Sequence, residues 1–178
     1  MEQNNWLEQM TRQNLKEQLV KTNGYTGQFG LILKEEDLEL LAVERVETLK
    51  KEQRIEFGVG VLPKIIDAFC ESAYITQENY CDTLIRLQEI FYMYKNEMLD
   101  EITDDELITF MSEQFEQVCF GDLDYLAETC LDIFAQAVRA GYRGYISSAG
   151  HGEYAKMDIV KRWDRELYLE KLRELSGE

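Results

Sequence analysis

Six apolar residues, Tyr80, Leu84, Leu87, Phe91, Tyr94 and Met98, follow one another at alternating steps of four and three. On a helix of 3.6 residues per turn that spacing returns each side chain to the same side, so it draws one unbroken apolar seam along a long helix expected over about 76–100. A helix so marked has to be buried along its seam. Neighbouring segments carry shorter versions of the same period, and none alternates apolar and polar residues as a half-buried strand would. The expected fold is therefore all-α: a single bundle of six or seven helices with the long helix at its centre and a docking helix at the C-terminus.

The helices can be placed by their ends. The first is expected within 6–21, with Leu7, Met10, Leu15 and Leu19 as its apolar stripe and a break near Thr11. A glycine-containing loop over 22–30 leads to a second helix over 35–52, whose Glu35, Glu36 and Asp37 suit the positive end of its dipole and whose Lys50 and Lys51 suit the other. Leu38, Leu41, Ala42, Val46 and Leu49 are its inward residues. Pro63 fits the first turn of a third helix over 62–73, with Leu62, Ile65, Ile66, Phe69 and Cys70 on its core face.

Thr76 is the expected cap of the long helix. The run Thr103-Asp104-Asp105-Glu106 is a capping box for a fifth helix with Leu107, Met111, Phe115 and Val118 inside. A sixth helix is expected over 123–140, burying Leu123, Leu126, Cys130, Phe134, Ala137 and Val138, with Gly141 as its left-handed stop. The domain so defined covers 1–141. A Gly/Ser/Tyr-rich loop over 142–153 follows, and then a C-terminal amphipathic helix within 154–178, on which Val160, Trp163, Leu167, Leu172 and Leu175 share a face. Such a face must dock, either in cis or by exchange with a second copy, which leaves a homodimer through this helix open.

Charge narrows the partners. Of the net −16, residues 61–141 hold 17 acidic and 4 basic side chains, whereas 142–178 hold 7 of each. A surface of that sign repels phosphate backbones and anionic headgroups, so neither nucleic acid nor membrane is an expected partner. Either a basic protein partner or plain solubility is the expected consequence. Cys70, Cys81, Cys119 and Cys130 lie in apolar helical patterns without zinc spacing and read as reduced core thiols. With no basic-then-apolar leader and no apolar run of bilayer length, the chain is expected in the cytoplasm.

Motifs that would commit the chain to a reaction are missing, and no catalytic residue, metal site or cofactor is expected. The most site-like stretch is Arg54, Glu56, Gly58, Gly60 and Lys64: glycines let a ligand approach the backbone, and the start of the next helix attracts anions. Its spacing matches neither a Walker loop nor a dinucleotide fingerprint, and a tight turn against the core is the simpler reading. A di-iron bundle needs paired Glu-x-x-His motifs, whereas the one histidine, His151, sits in the glycine-rich loop. Residues 100–106 fail as a calcium loop. Ser147, Ser148 and His151 lack an oxyanion donor and a residue to orient them. Tyr92 and Trp163 are the aromatic candidates for a protein-interaction surface.

The runs Arg54-Ile55-Glu56-Phe57-Gly58-Val59-Gly60-Val61-Leu62-Pro63-Lys64, Tyr74-Ile75-Thr76-Gln77-Glu78-Asn79-Tyr80 and Leu87-Gln88-Glu89-Ile90-Phe91-Tyr92 resemble a family of bacterial proteins of unknown function, helical and mostly from anaerobic Gram-positive lineages. The resemblance extends from about Asn14 to Ala140, and implies that the residues after Gly141 are an extension such proteins often lack. It implies a bacterial cytoplasmic protein and carries no activity. Two functions remain: a non-enzymatic protein-interaction or scaffold module, or a small ligand-binding protein or enzyme with its site near 56–64.

Overall fold

The computed structural model describes residues 2–143 and 163–177. The protein is all-α, with no strand among the described residues. In order come α1 (Glu2–Thr26), a 3₁₀ turn (Gly27–Phe29), α2 (Glu35–Lys51), α3 (Leu62–Phe69), α4 (Tyr80–Glu97) and α5 (Asp104–Gln117). They are followed by α6 (Leu123–Tyr125), which runs through a π-helical stretch (Leu126–Cys130) into α7 (Leu131–Arg139), and by α8 (Arg165–Ser176). Taking α6, the π stretch and α7 as one rod gives seven helices among the described residues. Ser147, Ser148, His151 and Val160, with most of the expected 142–153 loop, lie outside the described residues.

The chain divides into two compact units, Met1–Tyr92 and Met93–Glu178. In the first, α1 packs against α2 and α3. It is one helix with no break at Thr11, and only Leu15 and Leu19 of its expected stripe are buried; Leu7 and Met10 are exposed. Residues 31–34, between the 3₁₀ turn and α2, belong to no helix or strand, and two side-chain amides satisfy the peptide groups of Ile32 and Leu33. Asn23 accepts from the Leu33 N–H at 2.8 Å and donates to its carbonyl at 3.0 Å; Gln77 accepts from the Ile32 N–H at 2.7 Å and donates to its carbonyl at 2.8 Å.

On α2, Leu38, Leu41 and Ala42 are buried as expected, but Arg45 and Thr48 are buried while Val46 and Leu49 are half-exposed. All five expected core residues of α3 are buried. The long helix starts at Tyr80, not at Thr76. Asn79 accepts from the Thr76 N–H at 2.9 Å and donates to the Tyr74 carbonyl at 3.1 Å, which holds 76–79 in a turn instead. The seam itself is buried throughout, from Tyr80 to Met98.

In the second unit, Thr103 Oγ1 accepts from the Glu106 N–H at 3.2 Å and caps α5, and Asp122 caps α6 by accepting from the Tyr125 N–H at 3.0 Å. Leu107, Met111 and Phe115 are buried, whereas Val118 is exposed because α5 ends before it. The expected sixth helix is present with a π-widened turn over Leu126–Cys130; Leu126, Cys130, Phe134, Ala137 and Val138 are buried as expected, whereas Leu123, in its first turn, is half-exposed. Gly141, at φ 110°, stops it. The C-terminal helix α8 packs against α7 in cis. Trp163 is not on its face: it precedes the capping Asp164, and the buried residue on α8 is Tyr168, while Leu175 is exposed.

Candidate functional site

Loop 53–61 is built from the end of α2. Gln53, at φ 55°, takes the left-handed position after the helix; its N–H donates to Lys50 O at 3.2 Å and that of Arg54 to Leu49 O at 2.9 Å. These two bonds form the Schellman arrangement, here with glutamine where glycine is usual. The chain then reverses through Gly58 and Gly60, at φ 73° and 76°, a region that side chains with a Cβ seldom adopt.

Arg45 organises the loop from below. Its Nη2 donates to Glu56 Oε1 and to Gly58 O, each at 2.9 Å, and its Nε donates to Glu56 Oε1 at 3.2 Å. Tyr92 donates its phenolic hydrogen to Glu56 Oε2. Both carboxylate oxygens of Glu56 therefore point inward and serve partners within the first unit. Burial, reinforced by the Glu56 charge, holds the Tyr92 phenol far above the ordinary tyrosine range. Gly60 closes the knot, since a Cβ there would lie 1.9 Å from Glu56 Oε1 and 3.0 Å from Arg45 Nε.

Of the residues singled out in the sequence, the structure thus brings Glu56, Gly58 and Gly60 together. Arg54 is half-buried and Lys64 exposed, and each has contacts of its own. Tyr92 is 1% exposed, so it is an internal anchor for Glu56 and presents no surface. Trp163, at 7%, is likewise buried, its indole N–H donating to Glu113 Oε2 at 2.8 Å in the second unit. The residue that sequence reasoning missed is Arg45, although it falls on the inward stripe of α2, four after Leu41 and three before Thr48.

The inward turn of Glu56 throws its neighbours outward. Ile55 is 87% exposed and Phe57 91%. Chemically the loop offers two apolar side chains on a fixed backbone, with its central carboxylate already neutralised.

Three of the four thiols, Cys70, Cys119 and Cys130, are buried, and Cys81, expected in the core, is half-buried. Cys119 Sγ and Cys130 Sγ lie 3.6 Å apart, and burial pushes the Cys119 thiol up to about 12. Burial does the same to Cys81, also to about 12. Among the described residues no three His, Cys, Asp or Glu side chains converge as a metal site would require, and none of the helices is long and apolar enough to cross a membrane.

A family of unknown function, DUF6323, matches residues 18–144, well over half of the chain. The chain belongs to DUF6323. It matches no curated protein and no solved structure. The DUF6323 span takes in Arg45, Glu56, Gly60 and Tyr92, and it stops short of Trp163 and α8.

Proposed function

We propose that this chain is a non-enzymatic protein-interaction module and that loop 53–61 is the surface it presents. The observation that carries this reading is the exposure of Ile55 and Phe57 on either side of a Glu56 locked inward by Arg45 and Tyr92. Large apolar anchors are what partners bury at the centre of an interface, and a backbone already fixed loses little freedom when they do so. A net charge of −16 favours a basic partner with an apolar socket. Four free thiols fit a reducing compartment, the cytoplasm. The alternative, a ligand or catalytic site on the same loop, requires Glu56 to face outward, and its two oxygens are engaged with Arg45 and Tyr92.

The test is capture from an extract of the protein's own cells by the wild type and by an Ile55→Ser/Phe57→Ser variant, at low and high salt. The expected result is a basic protein that the wild type retains, that the variant retains at least tenfold less, and that leaves as ionic strength rises, with both baits unfolding at the same temperature. Equal retention by the two baits contradicts the reading.

A further inference from the structure

Five aromatic rings meet in the second unit. Phe110 of α5 and Phe134 of α7 are stacked, with centroids 3.8 Å apart and planes 9° from parallel. Trp163 and Tyr168 come edge-on to Phe110 at 5.0 and 5.5 Å, and Tyr168 also meets Phe134 at 5.4 Å and Tyr142 at 5.7 Å. Edge-to-face geometry at these distances adds attraction beyond burial of area. Polar contacts fix the register: besides the Trp163 bond to Glu113, the Tyr142 hydroxyl donates to Asp164 O at 2.9 Å and accepts from its N–H at 2.8 Å.

These groups fall into two sets. Phe110, Glu113, Phe134 and Tyr142 belong to the span shared with the family, whereas Trp163, Asp164 and Tyr168 lie beyond it, on the far side of residues 144–162. The tail's grip is concentrated at its start. Beyond Tyr168, Leu169 and Leu175 are exposed and every residue from Arg173 to Gly177 faces solvent. A segment held by two rings and a few hydrogen bonds, on a connection of this length, has the form of an amphipathic ligand seated in a groove and tethered to it.

We propose that the slot formed by Phe110, Phe134, Tyr142 and Glu113 is a separable docking site whose occupant is the segment 163–177 of the same chain. The inference concerns the second unit alone and is independent of the loop reading. A tethered occupant acts at a local concentration in the millimolar range, so free segment competes poorly with it until the tether is cut or the tail disabled.

The test uses the full chain with a protease site placed within 150–153, cut after folding, together with a labelled peptide of residues 163–178. The cut tail should stay with the body at micromolar concentration, be displaced by a tenfold excess of peptide, and leave a body that still unfolds cooperatively. In parallel, the uncut Trp163→Ala/Tyr168→Ala protein should bind the peptide at least tenfold more tightly than the wild type does, and a peptide carrying the same two changes should not bind. The proposal is overturned if excess peptide fails to displace the cut tail, if its release abolishes cooperative unfolding, or if wild type and variant bind the peptide equally.

Discussion

Arg45 reaches Glu56 with two nitrogens, Nε at 3.2 Å and Nη2 at 2.9 Å, both on the single oxygen Oε1, and leaves Oε2 to the Tyr92 hydroxyl. The guanidinium is 4% exposed and holds the loop from within the first unit. Pairs of this kind matter most when they are broken, because the surviving charge, here a Glu56 side chain only 19% exposed, stays largely out of water without its counter-ion.

Replacing Arg45 by Met should therefore lower stability by about 3 kcal/mol, the usual cost of orphaning a buried charge. Replacing Lys171, whose partner Glu174 is largely exposed, should change it by less than about 0.5 kcal/mol. Urea unfolding of the two variants measures both. A loss at Arg45 no larger than that at Lys171 would show that the loop is not held by this pair.

The two loop glycines should differ. A Cβ at Gly58 meets open space, so Gly58→Ala carries only the left-handed backbone strain, about 1 kcal/mol. At Gly60 the added methyl also runs into the Glu56 carboxylate, and the total loss should reach about 3 kcal/mol with overpacking included. Equal unfolding midpoints for the two variants would contradict the described knot.

Gln88 sits within the buried length of α4 at 0% exposure, and among the described residues neither its amide oxygen nor its amide nitrogen has a hydrogen-bond partner. An orphaned buried amide costs free energy that an apolar side chain of like shape does not. Gln88→Met should raise stability by about 1 kcal/mol, seen as a higher denaturant midpoint with an unchanged slope. A lower midpoint would mean that the amide is satisfied in solution.

How much of this was legible in the sequence follows from the range of the forces involved. The α4 seam, the Thr103 cap, the α3 core face and the Gly141 stop are written within one or two turns of chain, and the structure has them all. Thr76 misled because the Asn79 side chain bonds the Thr76 N–H and the Tyr74 carbonyl, closing 76–79 as a separate turn ahead of the helix. The π stretch over Leu126–Cys130 has no Pro or Gly to announce it. At the candidate site, Glu56 and the glycines were visible as a turn, but the reason for the turn was not. Arg45 is eleven residues away and Tyr92 thirty-six, and only the tertiary fold brings them to one carboxylate.

Alkaline pH should unfold the protein through its buried phenols. Burial raises Tyr80 from 10 to about 12, and raises Tyr92, Tyr142 and Tyr168 further. The unfolded chain releases these protons near pH 10 while the native one keeps them, so their stabilising contribution is complete below pH 10 and is lost as pH rises toward the folded values. The thiols add an earlier loss: the unfolded chain ionises its cysteines near pH 9 while the native Cys81 and Cys119 stay protonated. Urea midpoints should therefore begin to fall near pH 9 and fall more steeply above 10, with the absorbance of these phenolates appearing only as the chain unfolds. Independent titration of these four tyrosines near pH 10 in a still-folded protein would contradict their burial.

The claim that Phe57 is an anchor for a protein partner is tested most directly by placing a photo-crosslinking benzoylphenylalanine at position 57 in the living cell, with the exposed Glu47 of α2 as the control position. The account predicts one dominant covalent adduct with a second protein from position 57 and none above background from 47. The absence of any adduct specific to position 57, in a protein shown to be folded, would contradict it.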